Sequence, residues 1–143
     1  MTTTAGRFGQ HVSQGAASFR CAACGEIAAV VTALPAGCPA DMGPPLGMQS
    51  QDRDGIVVDY FGGTAWKAAG PTVYQAVREI LAGQAPDPAA LRQTGRELAP
   101  FFCPDCASSY CRADWHPNVL FDDGFYDCTM GQCPSGHEHI IDD

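Results

Sequence analysis

Cysteine and histidine residues at short spacings constrain this chain more than any other feature of its sequence. Cys21 and Cys24 form one Cys-x-x-Cys pair near the N-terminus, and Cys103 and Cys106 form another. Such a turn directs two thiolates toward one point, so two turns can surround a zinc ion with tetrahedral geometry. The C-terminal region adds further candidate ligands: Cys111, His116, Cys133 and His137. The sequence therefore predicts a small domain stabilised by two zinc ions.

The composition bounds the class of protein. A domain of 143 residues buries about 68–70% of the surface of its unfolded chain, so it does not need metal for lack of bulk. The 16 glycines and 11 prolines leave few long regular elements, and bound metal would stabilise such loop-rich regions. No run approaches the roughly 18 apolar residues of a membrane span, and the N-terminus lacks a signal-peptide pattern. We therefore expect a cytoplasmic protein, whose reducing surroundings favour metal binding over disulfides at Cys-x-x-Cys pairs.

The charge argues against nucleic acid as a partner. The net charge is −8, and the eight Lys and Arg residues are scattered. Affinity for DNA or RNA comes largely from Lys and Arg side chains that neutralise phosphates. We therefore expect a protein partner rather than nucleic acid or a membrane, and the sequence leaves the partner's identity and the oligomeric state open.

Strand signals lie on both sides of the first cysteine pair. A short extended piece enters the turn at Phe19, Gly25 provides permissive backbone after it, and an apolar segment leaves it. Residues 56–61 predict a further strand that ends at Gly62 and Gly63. Between these segments, residues 35–55 have the composition of a loop.

Two helices are predicted between the cysteine pairs. The first begins at Pro71 and ends near Gly83, with one apolar face formed by Val73, Ala76, Val77, Ile80 and Leu81. The second begins with Asp87 as N-cap before Pro88. Leu91 and Leu98 lie along one side of this second helix, and Gly95 weakens its middle.

These elements predict a single α+β domain, small and zinc-stabilised, with β-hairpin zinc knuckles and a two-helix insertion. Residues 1–17 are expected to be a flexible N-terminal arm or an edge strand, and residues 18–143 the zinc-binding domain. Within it, residues 71–99 form the inserted helical pair and residues 101–143 the C-terminal zinc segment. The insertion separates the two pairs by far more than the about 15–20 residues of a standard two-knuckle site. An insertion that folds on itself can still bring the pairs together.

The C-terminal segment resembles known zinc-binding patterns. Cys103-Pro-Asp-Cys106, then Tyr110-Cys111 and a His, resembles treble-clef and cross-brace zinc fingers such as the AN1 and FYVE types. Residues 101–143 also resemble a group of uncharacterised bacterial proteins built on Cys-Pro-x-Cys, Tyr-Cys-x-x-His-Trp and Gly-Phe-Tyr-Asp-x-Thr-x-Gly-x-Cys-Pro-x-Gly-His. The resemblance implies zinc binding and carries no activity. Where that pattern has His before Trp, this chain has Asp114, and His116 follows the Trp.

Two pairings of the candidate ligands are open. The first hypothesis joins Cys21 and Cys24 to Cys103 and Cys106, and assigns the second zinc to Cys111, His116, Cys133 and His137. The crossed alternative joins Cys21/Cys24 to Cys111/His116 and Cys103/Cys106 to Cys133/His137. His116 is favoured over Asp114 because imidazole is the commoner zinc ligand. Cys128 and Cys38 are further possible replacements.

The ligand surplus favours structural zinc over catalytic zinc, which keeps three protein ligands and one open position. The sequence has no His-Glu-x-x-His motif, phosphate-binding loop or dinucleotide-binding glycine pattern. We therefore expect a non-catalytic adaptor that presents a protein-interaction surface, with the segments Asp122–Tyr126 and Met42–Met48 as candidate contacts. The alternatives are a zinc enzyme with an open coordination position and a thiol-based sensor that releases zinc on oxidation.

Overall fold

The structure is a computed structural model, and it describes residues 15–37 and 52–143. A four-stranded antiparallel sheet has the strand order β1-β2-β3-β4. Its strands are β1 (Ala16–Arg20), β2 (Ile27–Leu34), β3 (Gly55–Tyr60) and β4 (Gly63–Ala68). Strand β1 takes in Ala16 and Ala17, which were expected in the N-terminal arm. It lies at one end of the described sheet.

The helices follow the sheet. They are α1 (Pro71–Ala82), α2 (Pro88–Thr94) and, after a 3-10 turn at Arg96–Leu98, the short α3 (Arg112–Trp115). Gly83 caps α1, and the Asp87 carboxylate accepts a hydrogen bond from the Ala89 amide at 3.0 Å at the start of α2. The second helix is shorter than its apolar pattern suggested, because Gly95 takes an extended conformation and caps it.

The C-terminal region adds two small antiparallel sheets. One pairs β5 (Phe102–Cys103) with β6 (Ser108–Ser109), and the other orders β7 (Asn118–Asp122), β8 (Phe125–Gln132) and β9 (Glu138–Asp142) as β7-β8-β9. The described chain therefore combines three sheets with short helices, and it is α+β. None of its described helices has the length and apolar character needed to cross a bilayer.

Two buried clusters hold these elements together. The larger lies where α1 packs on β1 and β2. Its buried members are Ala17, Phe19, Ala29, Val31, Ala33, Ile56, Val58, Val77, Leu81, Leu91, Leu98, Ala99, Phe101 and Phe102. The second joins three cysteines and apolar side chains, namely Cys21, Ala28, Cys103, Tyr110, Trp115, Cys133 and Ile141, with Cys106 and Cys111 packed against it. The first cluster is an ordinary apolar core, whereas the second is built around potential metal ligands.

Candidate metal centres

The first ligand group consists of Cys103, Cys106, Cys133 and His137, and all four are buried or half-buried. Cys103 and Cys106 flank the turn between β5 and β6. Cys133 and His137 flank the turn between β8 and β9, which the Cys133 amide closes by donating to the His137 carbonyl at 2.9 Å. Gly136 takes a φ of 91° in this turn, a value that glycine adopts without strain. Two tight turns from different sheets therefore face each other.

The separations in this group fit a tetrahedral site. His137 Nδ1 lies 3.3 Å from the sulfurs of Cys106 and Cys133 and 3.8 Å from that of Cys103. The Cys106 and Cys133 sulfurs are 3.6 Å apart. Bond lengths of about 2.3 Å for Zn–S and about 2.0 Å for Zn–N place two sulfurs about 3.8 Å apart, and a sulfur and a nitrogen about 3.6 Å apart. We conclude that one ion fits among the four atoms.

The second ligand group consists of Cys21, Cys24, Cys111 and Asp114. Cys21 and Cys24 lie in the turn between β1 and β2, where Gly25 has a φ of 80° and its amide donates to the Cys21 carbonyl at 2.9 Å. One backbone contact brings this turn to the C-terminal region: the Ala22 amide donates to the Ser109 carbonyl at 2.8 Å. The first cysteine pair is thereby held beside Cys111, two residues further along.

Short separations also characterise the second group. Asp114 Oδ2 lies 3.1 Å from Cys21 Sγ and 3.3 Å from Cys111 Sγ, and the sulfurs of Cys24 and Cys111 are 3.6 Å apart. Zn–O bonds of about 2.0–2.2 Å predict similar distances between a sulfur and an oxygen ligand. Cys24 is exposed, whereas Cys21 is buried. The second group is thus the more accessible of the two.

The short helix α3 selects Asp114 rather than His116 for this group. Cys111 is the N-cap of α3 and Asp114 lies three residues later, a spacing that places two side chains on one helix face. His116 follows the helix at its C-cap, in a left-handed conformation with a φ of 48°. Its side chain is exposed, and it belongs to neither group of four.

The chain was compared with protein families, with proteins of curated function and with solved structures. A family described as a domain of unknown function (DUF8328) matches residues 10–143. The chain belongs to this family. Neither the proteins of curated function nor the solved structures gave a match. The family assignment agrees with the resemblance to uncharacterised proteins seen in the sequence.

The two groups have the crossed pairing, not the sequential one. In this DUF8328 chain Cys21 and Cys24 lie beside Cys111, and Cys103 and Cys106 lie beside Cys133 and His137. The first hypothesis paired the two Cys-x-x-Cys turns directly, whereas here they lie in separate groups, and Asp114 stands where the crossed alternative had His116. The physical reason is the contact between the Ala22 and Ser109 backbones, which joins the first turn to the residues after the second turn.

Three other candidate residues have different surroundings. Cys128 is buried on β8, opposite Leu120, and belongs to no ligand group. His139 Nε2 lies 2.9 Å from Asp105 Oδ2, and its ring stands edge-on to Trp115. Asp105 and His139 also form a three-membered group with Cys103, but Cys103 is shared with the first group.

Cys38 and the segment Met42–Met48 lie outside the described residues.

Trp115 connects the two ligand groups. Its side chain is fully buried, and its indole nitrogen donates to the Phe101 carbonyl at 2.8 Å. Phe101 precedes the first cysteine of one group, and Trp115 directly follows Asp114 of the other. Tyr110 packs edge-on against the indole, with ring centroids 6.2 Å apart. The positions of the two groups are therefore coupled through one buried side chain.

The protein surroundings change the acidity of several ligands. Burial raises the pKa of Cys103 to about 11 and that of Cys111 to about 12. Hydrogen bonds from Tyr110, which has the larger effect, and from Ser135 lower the pKa of Cys106 to about 6. Hydrogen bonds from Cys21 and then Cys111 lower the pKa of Asp114. Because a thiol binds metal as the thiolate, a metal ion would displace the protons of Cys103 and Cys111, and low pH would oppose its binding.

Proposed function

We propose that the protein is a non-catalytic interaction module that binds two structural zinc ions. The observation that supports it most is the convergence of four ligand atoms at each of two places, with donors drawn from separate turns. A closed set of four protein ligands is typical of structural zinc, whereas catalytic zinc keeps one position for water or substrate. In this proposal the first ion binds Cys103, Cys106, Cys133 and His137, and the second binds Cys21, Cys24, Cys111 and Asp114.

Zinc is the metal that these donors favour. Three thiolates with one imidazole, or three thiolates with one carboxylate, suit tetrahedral coordination by a borderline-soft ion. Calcium and magnesium require oxygen ligands and larger coordination numbers than either group provides. The turns that present the cysteines then act as zinc knuckles, in an arrangement similar to the treble-clef and cross-brace patterns of the sequence.

The ions would brace segments that are distant in sequence. The second group joins the turn between β1 and β2 to α3, and the first group joins the turn between β5 and β6 to that between β8 and β9. Each link closes a long loop and so restricts the unfolded chain. The braced C-terminal sheet carries exposed apolar side chains on β7 and β8, which supports a role in binding another protein rather than in chemistry.

Replacing two buried cysteines, one at a time, tests the ligand assignment. Cys103 belongs to the first group, whereas Cys128 has similar burial and belongs to neither. We expect Cys103→Ser to reduce the zinc content from two ions per chain to one, because serine does not replace a zinc thiolate. Cys128→Ser should keep both ions. Zinc content is measured by atomic emission on protein purified without added metal.

Equal zinc content in these two variants would contradict the assignment. If Cys103→Ser does not fold, the exposed Cys24 provides the same comparison for the second group. Cys24→Ser should then lose one ion while leaving the buried clusters unchanged.

A further inference from the structure

The hairpin of β7 and β8 exposes more apolar surface than any folding role requires. Phe121 is 67% exposed and Phe125 is 77% exposed. Val119, Leu120 and Tyr126 are also exposed, and all five residues lie within one hairpin. Phe121 is paired with Tyr126, and Asp122 with Phe125, so the two most exposed rings lie on opposite faces of the hairpin. Large apolar side chains left exposed close together mark sites of association.

The hairpin is held in place by its own turn and by β9. Asp123 and Gly124 form a two-residue turn in which both φ angles are positive, at 51° and 82°, as in the tight hairpin turn that Asp-Gly favours. The Tyr126 hydroxyl donates to the Asp142 carboxylate at 2.6 Å and lies 2.9 Å from Thr129 Oγ1. The exposed aromatic rings are therefore presented by an ordered hairpin.

Strand β7 offers a backbone edge beside these rings. In the described part of the chain, β8 is its only partner in the sheet, and all five of its residues are exposed. The register shifts between Leu120 and Phe121, and the extra residue, Asp127, lies on β8. Strand β7 itself is therefore continuous. An edge strand with free amide and carbonyl groups can accept another strand.

The charged side chains of the hairpin itself have one sign, although Arg112 lines a cavity with Val119 and Arg96 pairs with Asp143. From Ala113 to Asp143 the sequence contains no Lys or Arg, and its acidic residues are Asp114, Asp122, Asp123, Asp127, Glu138, Asp142 and Asp143. Three of them flank the exposed rings along the hairpin. Such a surface attracts a basic partner and repels an acidic one. A second copy of this chain, with a net charge of −8, would bring like charges together.

We propose that β7 binds an extended, basic segment of another protein, which adds to the sheet as a fourth strand. Lys or Arg side chains of the segment would face Asp122 and the Phe125 ring on one face of the hairpin, and its apolar side chains would cover Phe121 on the other face. Backbone pairing would provide affinity and the side chains selectivity. This inference names the partner class of the proposed interaction module and rests on that function, but it uses none of the metal ligands.

A library of random twelve-residue peptides, displayed on phage and selected on the zinc-loaded protein, tests the proposal. We expect the enriched peptides to alternate Lys or Arg with apolar residues. The best synthetic peptide should bind at least tenfold more weakly to the double variant Phe121→Ser, Phe125→Ser. Ile27→Ser is the matched control, because Ile27 is 52% exposed and lies on β2; it should leave binding unchanged.

Charge and backbone are tested separately with the same peptide. Asp122→Asn with Asp123→Asn should weaken binding and reduce its dependence on salt, whereas Glu79→Gln on α1 should do neither. Proline is then placed at one peptide position at a time. It should abolish binding at the alternate positions whose amide pairs with β7, because proline has no amide hydrogen. In nuclear magnetic resonance spectra, the peptide should shift the amide signals of Val119 and Phe121.

Each contrary result overturns the proposal. The proposal fails if the selection enriches no peptide, if the enriched peptides lack basic residues, or if the best peptide still binds the hairpin variants. A dimer that forms with rising protein concentration and is lost in Phe121→Ser would instead identify a second copy as the occupant. Zinc content is measured for every sample. Failure of peptide binding with two ions present refutes the hairpin proposal alone, and absence of zinc from the wild-type protein refutes the metal assignment.

Discussion

At the scale of single residues, the structure differs most clearly from the sequence-based expectation at Asp114. Its carboxylate lies 3.1 Å and 3.3 Å from two cysteine sulfurs, whereas His116 is exposed and in neither ligand group. The resembling sequence pattern has a histidine at the position of Asp114. The pattern and this chain therefore have a potential zinc ligand at the same position in the sequence.

Substitution at this position gives a graded prediction. Asp114→Ala should weaken zinc binding at the second group by at least about tenfold, since even loss of a residue that only supports a ligand costs about 10–100-fold. Asp114→His should retain zinc, because imidazole replaces the carboxylate. His116→Ala, the control, should bind zinc like the wild type. Competition with a chromophoric chelator measures the three affinities, and a larger loss in His116→Ala than in Asp114→Ala would contradict the assignment.

The residues that could be predicted from sequence are those with local signals. The Cys-x-x-Cys pairs, the glycine after the first pair and the start of α1 at Pro71 all depend on neighbouring residues. The sequence offered the crossed pairing as an alternative but could not select it, because the choice depends on a hydrogen bond between Ala22 and Ser109, far apart in sequence. Asp114 could have been found from its spacing, since Cys111 and a ligand three residues later share a helix face.

At the scale of elements, short segments were harder to predict than long ones. Strand β4 (Gly63–Ala68) has no alternating apolar pattern, and its residues are exposed or half-exposed. It exists because β3 pairs with it along its whole length. The exposed hairpin of β7 and β8 was expected only as a contact segment, and its edge position became evident from the order of the sheet.

Packing between elements predicts a sensitive glycine on β8. A Cβ atom at Gly131 would lie 2.9 Å from both Trp115 Cε3 and Ile141 Cγ1, and both side chains are buried. Gly131→Ala should therefore lower the free energy of unfolding by about 1–3 kcal/mol through overpacking. Gly83→Ala is the control, because a Cβ atom there would lie an ordinary 3.4 Å from the Ile80 carbonyl oxygen. Chemical denaturation compares the two, and equal stability would contradict the packing at Trp115.

At the scale of the whole molecule, the described chain has two cores with different origins of stability. The first is apolar and lies between the four-stranded sheet and the helices. The second is small and consists largely of candidate metal ligands around Trp115. Structural zinc contributes about 10–16 kcal/mol of apparent binding energy per ion, which is comparable to the about 5–15 kcal/mol of a whole domain. We therefore expect the C-terminal third to depend on metal for its folding.

Native mass spectrometry of the intact protein, before and after chelation, tests the central claim most directly when circular dichroism is recorded on the same samples. The account predicts two zinc ions per chain, and loss of ordered structure when a strong chelator removes them. A protein that binds one ion or none, or that keeps its spectrum and melting temperature after both ions are removed, would contradict it.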